Sequence, residues 1–384
     1  MSETQQLSPS RTVPTRRSFR DSAYAHRFQI IGFVLLGVVL VIYPFVVTNR
    51  WVDAANLAII AAVGAIALNI LLGVAGQLSL GSAAFMGLGS FTAATLATQA
   101  LHLPFLLSLV AGAVVGGLAA VILGVIALRI RGFYLVLATI ALFYIFYFCA
   151  QKFQEATVGI TGFLMPPADI FGWQIAKTST WYWILLIVLV AVSLGSWNLL
   201  RSKTGRAFRA IKDRDIAAAI LGVNVTRTKM LAFIITSMLI GFQGALYAYY
   251  VGVVTYETYT LDLTVQYVAM IVIGGLASIG GSILGAAFVI MLPFAVQAIV
   301  PLLPSWFPFY DVISSNIFAV QSILYGIVIV LFMLRLPKGL AYAFRRLGRF
   351  IVRKLGGGPR VPEPEDPALP RTDDPISDEK RAEV

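Results

Sequence analysis

Two sets of side chains in this sequence could do chemistry, and they are of opposite kinds. The first is a charged run, SKTGRAFRAIKDRDIAAAILGVNVTRTK at 202–229. Within it Phe208, Ile211, Ala218 and Ala219 fall at spacings that predict one or two short helices, closed by Gly222, with basic residues flanking the apolar positions. Such a compact mixture of small, apolar and paired charged residues suits a groove on a partner protein better than a lipid surface. The second set is neutral: Gln77, Ser79, Ser82 and Ser90 in GVAGQLSLGSAAFMGLGSF at 73–91, with Ser278 and Ser282 in GGLASIGGSILGAAF at 274–288. Glycine and serine at membrane depth permit broken helices that present backbone dipoles to a solute, so these six residues are candidates for a polar pathway. Tight helix packing without solute contact is the competing account of the same turns. Neither turn is a phosphate loop, because no Gly-Lys-Ser/Thr occurs in the chain.

The elements that must position these residues are apolar. Of 384 residues, 59% are hydrophobic and 12% charged, against about a quarter charged in a soluble domain. Ten stretches contain no Asp, Glu, Lys, Arg or His: 28–48, 55–72, 83–100, 105–128, 132–150, 181–200, 230–252, 264–283, 284–302 and 318–334. A spanning helix needs about 20 apolar residues. Backbone groups in lipid must be satisfied internally, and these runs do not alternate as barrel strands would. The expected fold is therefore all-α, a polytopic bundle of about ten spans. The number falls to eight if the nearly continuous stretches 55–100 and 264–302 each count once. Gly112 with Gly116, and Gly281 with Gly285, are spaced for close helix packing within the fold.

Charge sets the expected orientation. Cytoplasmic loops carry an excess of Lys and Arg. The first 27 residues hold Arg11, Arg16, Arg17, Arg20 and Arg27, and ten spans return the C-terminus to the same side. Arg129 and Arg131, the 201–229 loop and the basic segment 339–355 then all fall inside, whereas 151–180, 253–263 and 303–317 fall outside with two basic residues against five acids. Both termini are expected in the cytoplasm. The organisation read from this is a basic N-terminal segment (1–27), a membrane domain (28–338), a basic juxtamembrane segment (339–355) and a Pro- and acid-rich tail (356–384), whose composition predicts disorder.

Several functions are disfavoured. The basic residues flank spans, so nucleic-acid binding is not expected. Acid–base catalysis needs positioned titratable groups, and proton coupling usually places acids or histidines inside the membrane; all ten stretches lack them. No catalytic residue or metal site is expected. The lone Cys149 lies in an apolar run and is expected to be a buried bystander. Two mechanisms remain: import driven by ATPases on other chains, or passive conduction of a small neutral solute.

The charged run closely resembles the cytoplasmic segment of branched-chain amino acid ABC-transporter permeases of the LivM type. GQLSLGSAAFMGLGSFTAA, GFYLVLATIALFYI and IGGLASIGGSILGA are similar to that family's other hallmarks, in order, and the resemblance covers about 57–338. It departs at Ser82, where the family usually has histidine, and in VGITGFLMPP at 158–167, where a family glycine is missing. The resemblance implies a permease subunit in a bacterial inner membrane, forming half a pore for branched-chain amino acids or a similar small polar solute. A sister branch carries urea or amides, and small organic acids are a further possibility. It implies a second, homologous permease as heterodimer partner, two ATP-binding subunits and a periplasmic substrate-binding protein, with ATP and Mg on the ATPases and no cofactor on this chain. By the same resemblance Gly205, Arg206, Arg209, Ala210, Asp213, Ala217 and Gly222 match the segment that couples ATPase closure to the pore.

Overall fold

The computed structural model describes residues 40–100, 103–127, 134–170, 172–175 and 177–299, and scattered positions between 323 and 342. The segment 1–27, most of the stretch 28–48, Arg129, Arg131, the loop 303–317, most of 318–334 and 339–355, and the tail 356–384 lie outside the described residues.

The described chain is helical, as its apolar runs require. In order come α1 (Asn49–Asn69), carried on by a π turn (Ile70–Val74), α2 (Ser82–Thr95), carried on by a second π turn (Leu96–Ala100), α3 (Phe105–Ala127), α4 (Tyr134–Thr157), α5 (Thr178–Arg201), α6 (Lys203–Asp213), α7 (Asp215–Ile220), α8 (Val225–Val251), α9 (Leu261–Gly274) and α10 (Ile279–Ile299). Two pairs of two-residue strands interrupt them: β1 (Phe163–Leu164) with β4 (Val253–Val254), and β2 (Asp169–Ile170) with β3 (Trp173–Gln174), both antiparallel.

Among the described residues, six helices are long and apolar enough to cross a membrane: α1 with its π turn, α3, α4, α5, α8 and α10. The stretches 83–100 and 264–283 behave differently. The α-helical parts of both, α2 and α9, have 14 residues each; α9 rises about 20 Å against a hydrocarbon core of about 30 Å, whereas α2 runs on through the five residues of its π turn. The boundary expected between 283 and 284 lies instead at 275–278, where Gly275 (φ 117°) and Ala277 (φ 60°) leave helical geometry. Ser282 thus sits inside the first turns of α10 rather than in the turn. The reason is that apolar residues continue on both sides of the break, so hydropathy alone does not mark it. In the same way α8 begins at Val225, before the apolar run, because the Asn224 side chain caps it by accepting from the Arg227 amide at 3.0 Å.

The centre of the bundle is α1, whose membrane-length window is 89% buried against 22% for α5. It packs on α10, α5, α8 and α9, while α8 packs on α3 and α2. Glycines permit the closest of these approaches. A Cβ on Gly89 would lie 2.0 Å from the Gly241 carbonyl oxygen, and one on Gly116 would lie 2.7 Å from that of Ser237. The Gly281–Gly285 pair meets α9 in the same manner, at the Gly274 and Met270 carbonyls. Both glycine pairs therefore pack inside the fold. Cys149, in contrast, is exposed on α4 rather than buried, because that part of the helix faces away from the bundle.

The contacts sort the loops to two ends. At one, β1 pairs with β4 and the Tyr256 amide donates to Gln154 Oε1 at 2.9 Å, so the loops 151–180 and 253–263 meet. Asn56 Nδ2 donates there to the Thr178 carbonyl at 3.1 Å, and the Tyr250 hydroxyl donates to Asp53 Oδ1 at 2.9 Å. At the other end the first glycine-rich turn is bonded to the charged run 202–229, and Ala277 of the second lines a cleft with it. We predict that Gly241→Val, which forces atoms into the α2–α3–α8 contact, costs at least about 1–3 kcal/mol and lowers the thermal midpoint of the detergent-solubilised protein. Gly195→Val on α5, where a Cβ would meet nothing within 4 Å, should leave it unchanged.

Candidate functional site

The charged run folds as the compact pair α6 and α7. Ser202 caps α6 by accepting from the Gly205 amide at 3.3 Å. Phe208 and Ile211 are buried beneath it. Gly205 lies so close to the end of α5 that a Cβ would stand 2.5 Å from the Leu199 and Leu200 carbonyl oxygens. Arg209 donates to the Leu200 carbonyl at 3.0 Å and Arg206 to that of Arg201 at 3.2 Å, which fastens α6 to α5. Arg214 is extended (φ −156°) and turns the chain into α7. Gly222, in the left-handed region (φ 84°), ends that short helix, and Lys229 on α8 pairs with Asp215 at its start. The outer side of α7 is left bare: Ile216, Ile220 and Leu221 are 79%, 81% and 82% exposed.

Beneath α6 lies a cleft of about 210 Å³, lined by Gly73, Val74, Leu200, Arg209, Lys212, Asp213 and Ala277. It joins the charged run to both breaks. Lys212 Nζ donates to the Gly73 carbonyl at 2.7 Å. Gln77, across the same turn, donates through Nε2 to the Lys229 carbonyl at 3.2 Å. One turn above Gly73, the buried Asn69 holds the second break. Its Nδ2 faces the Gly275 carbonyl (3.3 Å), the Ser278 carbonyl (3.1 Å) and Ser282 Oγ (2.7 Å), and its Oδ1 accepts from the Ala277 amide at 2.8 Å. Gly73 must lack a side chain here, because a Cβ would stand 1.9 Å from Asn69 Oδ1.

The neutral candidates divide accordingly. Gln77, Ser278 and Ser282 belong to this assembly; Ser278 Oγ accepts from the Gly281 amide at 3.1 Å at the start of α10. Ser79 is buried and accepts from the Gly81 amide at 3.3 Å. Ser82 is buried, and its Oγ has no hydrogen-bond partner among the described residues. Ser90 lies two turns farther along α2 and donates to the Gly244 carbonyl at 2.7 Å, binding α2 to α8. Of the coupling candidates, Arg209 and Asp213 line the cleft and Gly205 is buried against the end of α5. Arg206, Ala217 and Gly222 are exposed, and Ala210 accepts from the Arg214 amide at 3.2 Å.

Sequence reasoning missed Asn69 and Lys212, and a buried knot in which Gln243 donates to the Tyr267 hydroxyl and touches Met86 Sδ at 3.7 Å. The signal available was an amide inside an otherwise apolar stretch, a costly placement that asks for a partner; sorting residues by charge alone passed over it. Asn69→Leu should strand the Ala277 amide and the carbonyls it faces, at about 1–3 kcal/mol for each group left unpaired. A clear fall in thermal midpoint, with retained insertion, is the expected result.

The model of a family described as branched-chain amino acid transport system / permease component matches residues 51–333. The high-affinity branched-chain amino acid transport system permease protein LivM of Escherichia coli K12 is 30% identical over 287 residues, 68% of this chain and 67% of its own. LivM of Salmonella typhimurium is 29% identical over the same shares. The autoinducer 2 import system permease protein LsrC of an Enterobacter strain is 33% identical over 149 residues, 38% of this chain and 41% of its own. No solved structure matches. A family match over residues 51–333, together with six membrane-length helices among the described residues, makes this chain a multi-pass membrane protein of the branched-chain amino acid transport permease family.

Proposed function

We propose that this chain is the membrane half-pore of a binding-protein-dependent ABC importer and that 202–229 is where separate ATPase subunits dock. The observation that carries the reading is the bare apolar side of α7 and its end, Ile216, Ile220 and Leu221, on a segment bonded to the first helix break and sharing a cleft with the second. Exposed apolar side chains in a basic setting fit a protein groove, and docking on them can act on the membrane body only through contacts such as these. The excess of basic residues at that end supports a cytoplasmic orientation, with both termini inside and about ten spans in a bacterial inner membrane.

The proposed complex contains a second, homologous permease, two ATP-binding subunits and a periplasmic binding protein. ATP and Mg belong to the ATPases, and this chain carries no cofactor. The proposed solute is a branched-chain amino acid or a similar small polar molecule, supported by the LivM matches, which cover far more of the chain than the LsrC match. The route is proposed to be neutral, made of backbone with Gln77, Ser79, Ser82, Ser90, Ser278 and Ser282. The domain limits read from the sequence, 1–27, 28–338, 339–355 and 356–384, stand as part of this proposal. In cells lacking the chromosomal copy, this chain should restore uptake of radiolabelled leucine, whereas Gly205→Trp and Asp213→Arg should insert normally and leave uptake at background. Normal uptake by both variants would refute the coupling role.

A further inference from the structure

We propose that Lys212 is a positioning residue of the transport cycle, fastening the docking segment to the turn between α1 and α2 so that movement of the segment is delivered to that turn. The inference rests on the reading of 202–229 as the ATPase-docking segment, and it adds the route by which docking reaches the membrane body.

Lys212 stands on α6, which cannot swing freely, because Phe208 and Ile211 are buried and Arg209 is bonded to the end of α5. Its ammonium meets the Gly73 carbonyl, in the last turn of the α1 extension. Carbonyls there lack intrahelical partners, and a cation complements the helix dipole at the same place. The turn beyond is shaped to pass under the lysine. Gly76 adopts φ +68°, and a Cβ on it would lie 3.0 Å from Lys212 Cγ. A second tie runs in parallel: Asp215 of α7 pairs with Lys229, whose carbonyl accepts from Gln77 in this turn. Both helices of the docking segment therefore reach one turn. Through Asn69, one helical turn from Gly73, that turn is joined in its turn to the 275–278 break. A surface lysine in a solvated loop would have no such route, and a lysine that merely stabilised α6 would leave the turn's response to nucleotide intact.

The test uses the assembled complex in lipid nanodiscs, in a Cys149→Ser background with Leu78→Cys as a reporter on the turn, where Leu78 is partly exposed. The probe is the rate of maleimide labelling with and without ATP plus vanadate. With Lys212 present the rate should change several-fold on adding nucleotide. Lys212→Met should abolish that change while ATP hydrolysis continues, Lys212→Arg should retain part of it, and Lys152→Met, an exposed change at the opposite end of the bundle, should retain all of it. An unchanged nucleotide response in Lys212→Met would overturn the proposal, as would no response at Leu78→Cys in a complex that hydrolyses ATP. Loss of ATPase binding in Lys212→Met would assign the lysine to docking and overturn it too. Failure of the chain with Lys212 intact to hold any ATPase would refute the functional reading itself, and this inference with it.

Discussion

A broken helix leaves backbone groups without helical partners, and in this protein a single buried amide meets that need. The carbonyls of Gly275 and Ser278 and the amide of Ala277 fall outside both flanking helices, and Asn69 supplies all three contacts from the last turn of α1. Much else follows from that arrangement. The helix bearing Asn69 has to lie against the break, which places α1 at the centre of the bundle with α10 on its flank. Gly73 has to be glycine for the amide to fit. Ala277 is held at φ 60°, a conformation an L-residue adopts only when its surroundings enforce it.

The same turn of α1 is where the charged run arrives. The apolar stretches hold no Asp, Glu, Lys, Arg or His to harvest an ion gradient, which fits the proposal that work enters from outside the bilayer. The α6–α7 pair has an inner face seated on α5 and a bare apolar outer face, the arrangement that the proposed docking calls for. Lys212 and Gln77 then tie it to the first break, and Asn69 ties the first break to the second. Contacts thus run from the segment bearing the exposed face of α7 to the first interrupted helix and, through α1, to the second.

How much of this could be read from the residues depended on whether the cause was local. Membrane helices were legible because an apolar run of sufficient length has few alternatives in lipid, and the charged run was legible because it interrupts those stretches. The glycine pairs were legible as packing for the same local reason. The break at 275–278 was not, since Gly-Gly-Leu-Ala-Ser-Ile-Gly-Gly offers several places to stop a helix and the choice is made by Asn69, more than 200 residues away. The partners of Gln77 and Ser90 were hidden too, because hydrogen bonds between distant helices leave no periodic signature. Exposure of Cys149 escaped notice because an apolar neighbourhood in sequence is equally a lipid-facing surface.

The central claim is that this chain works as one part of an ATP-driven assembly held at 202–229. Affinity isolation of the full chain from gently solubilised native membranes, with the retained proteins identified by mass spectrometry, tests it most directly. The account predicts recovery of a second permease chain together with ATP-binding subunits, and loss of the ATP-binding subunits alone when Ile216, Ile220 and Leu221 are replaced by serine. Recovery of this chain by itself from intact membranes would contradict it and would leave the α6–α7 pair as a lipid-facing segment of a passive channel.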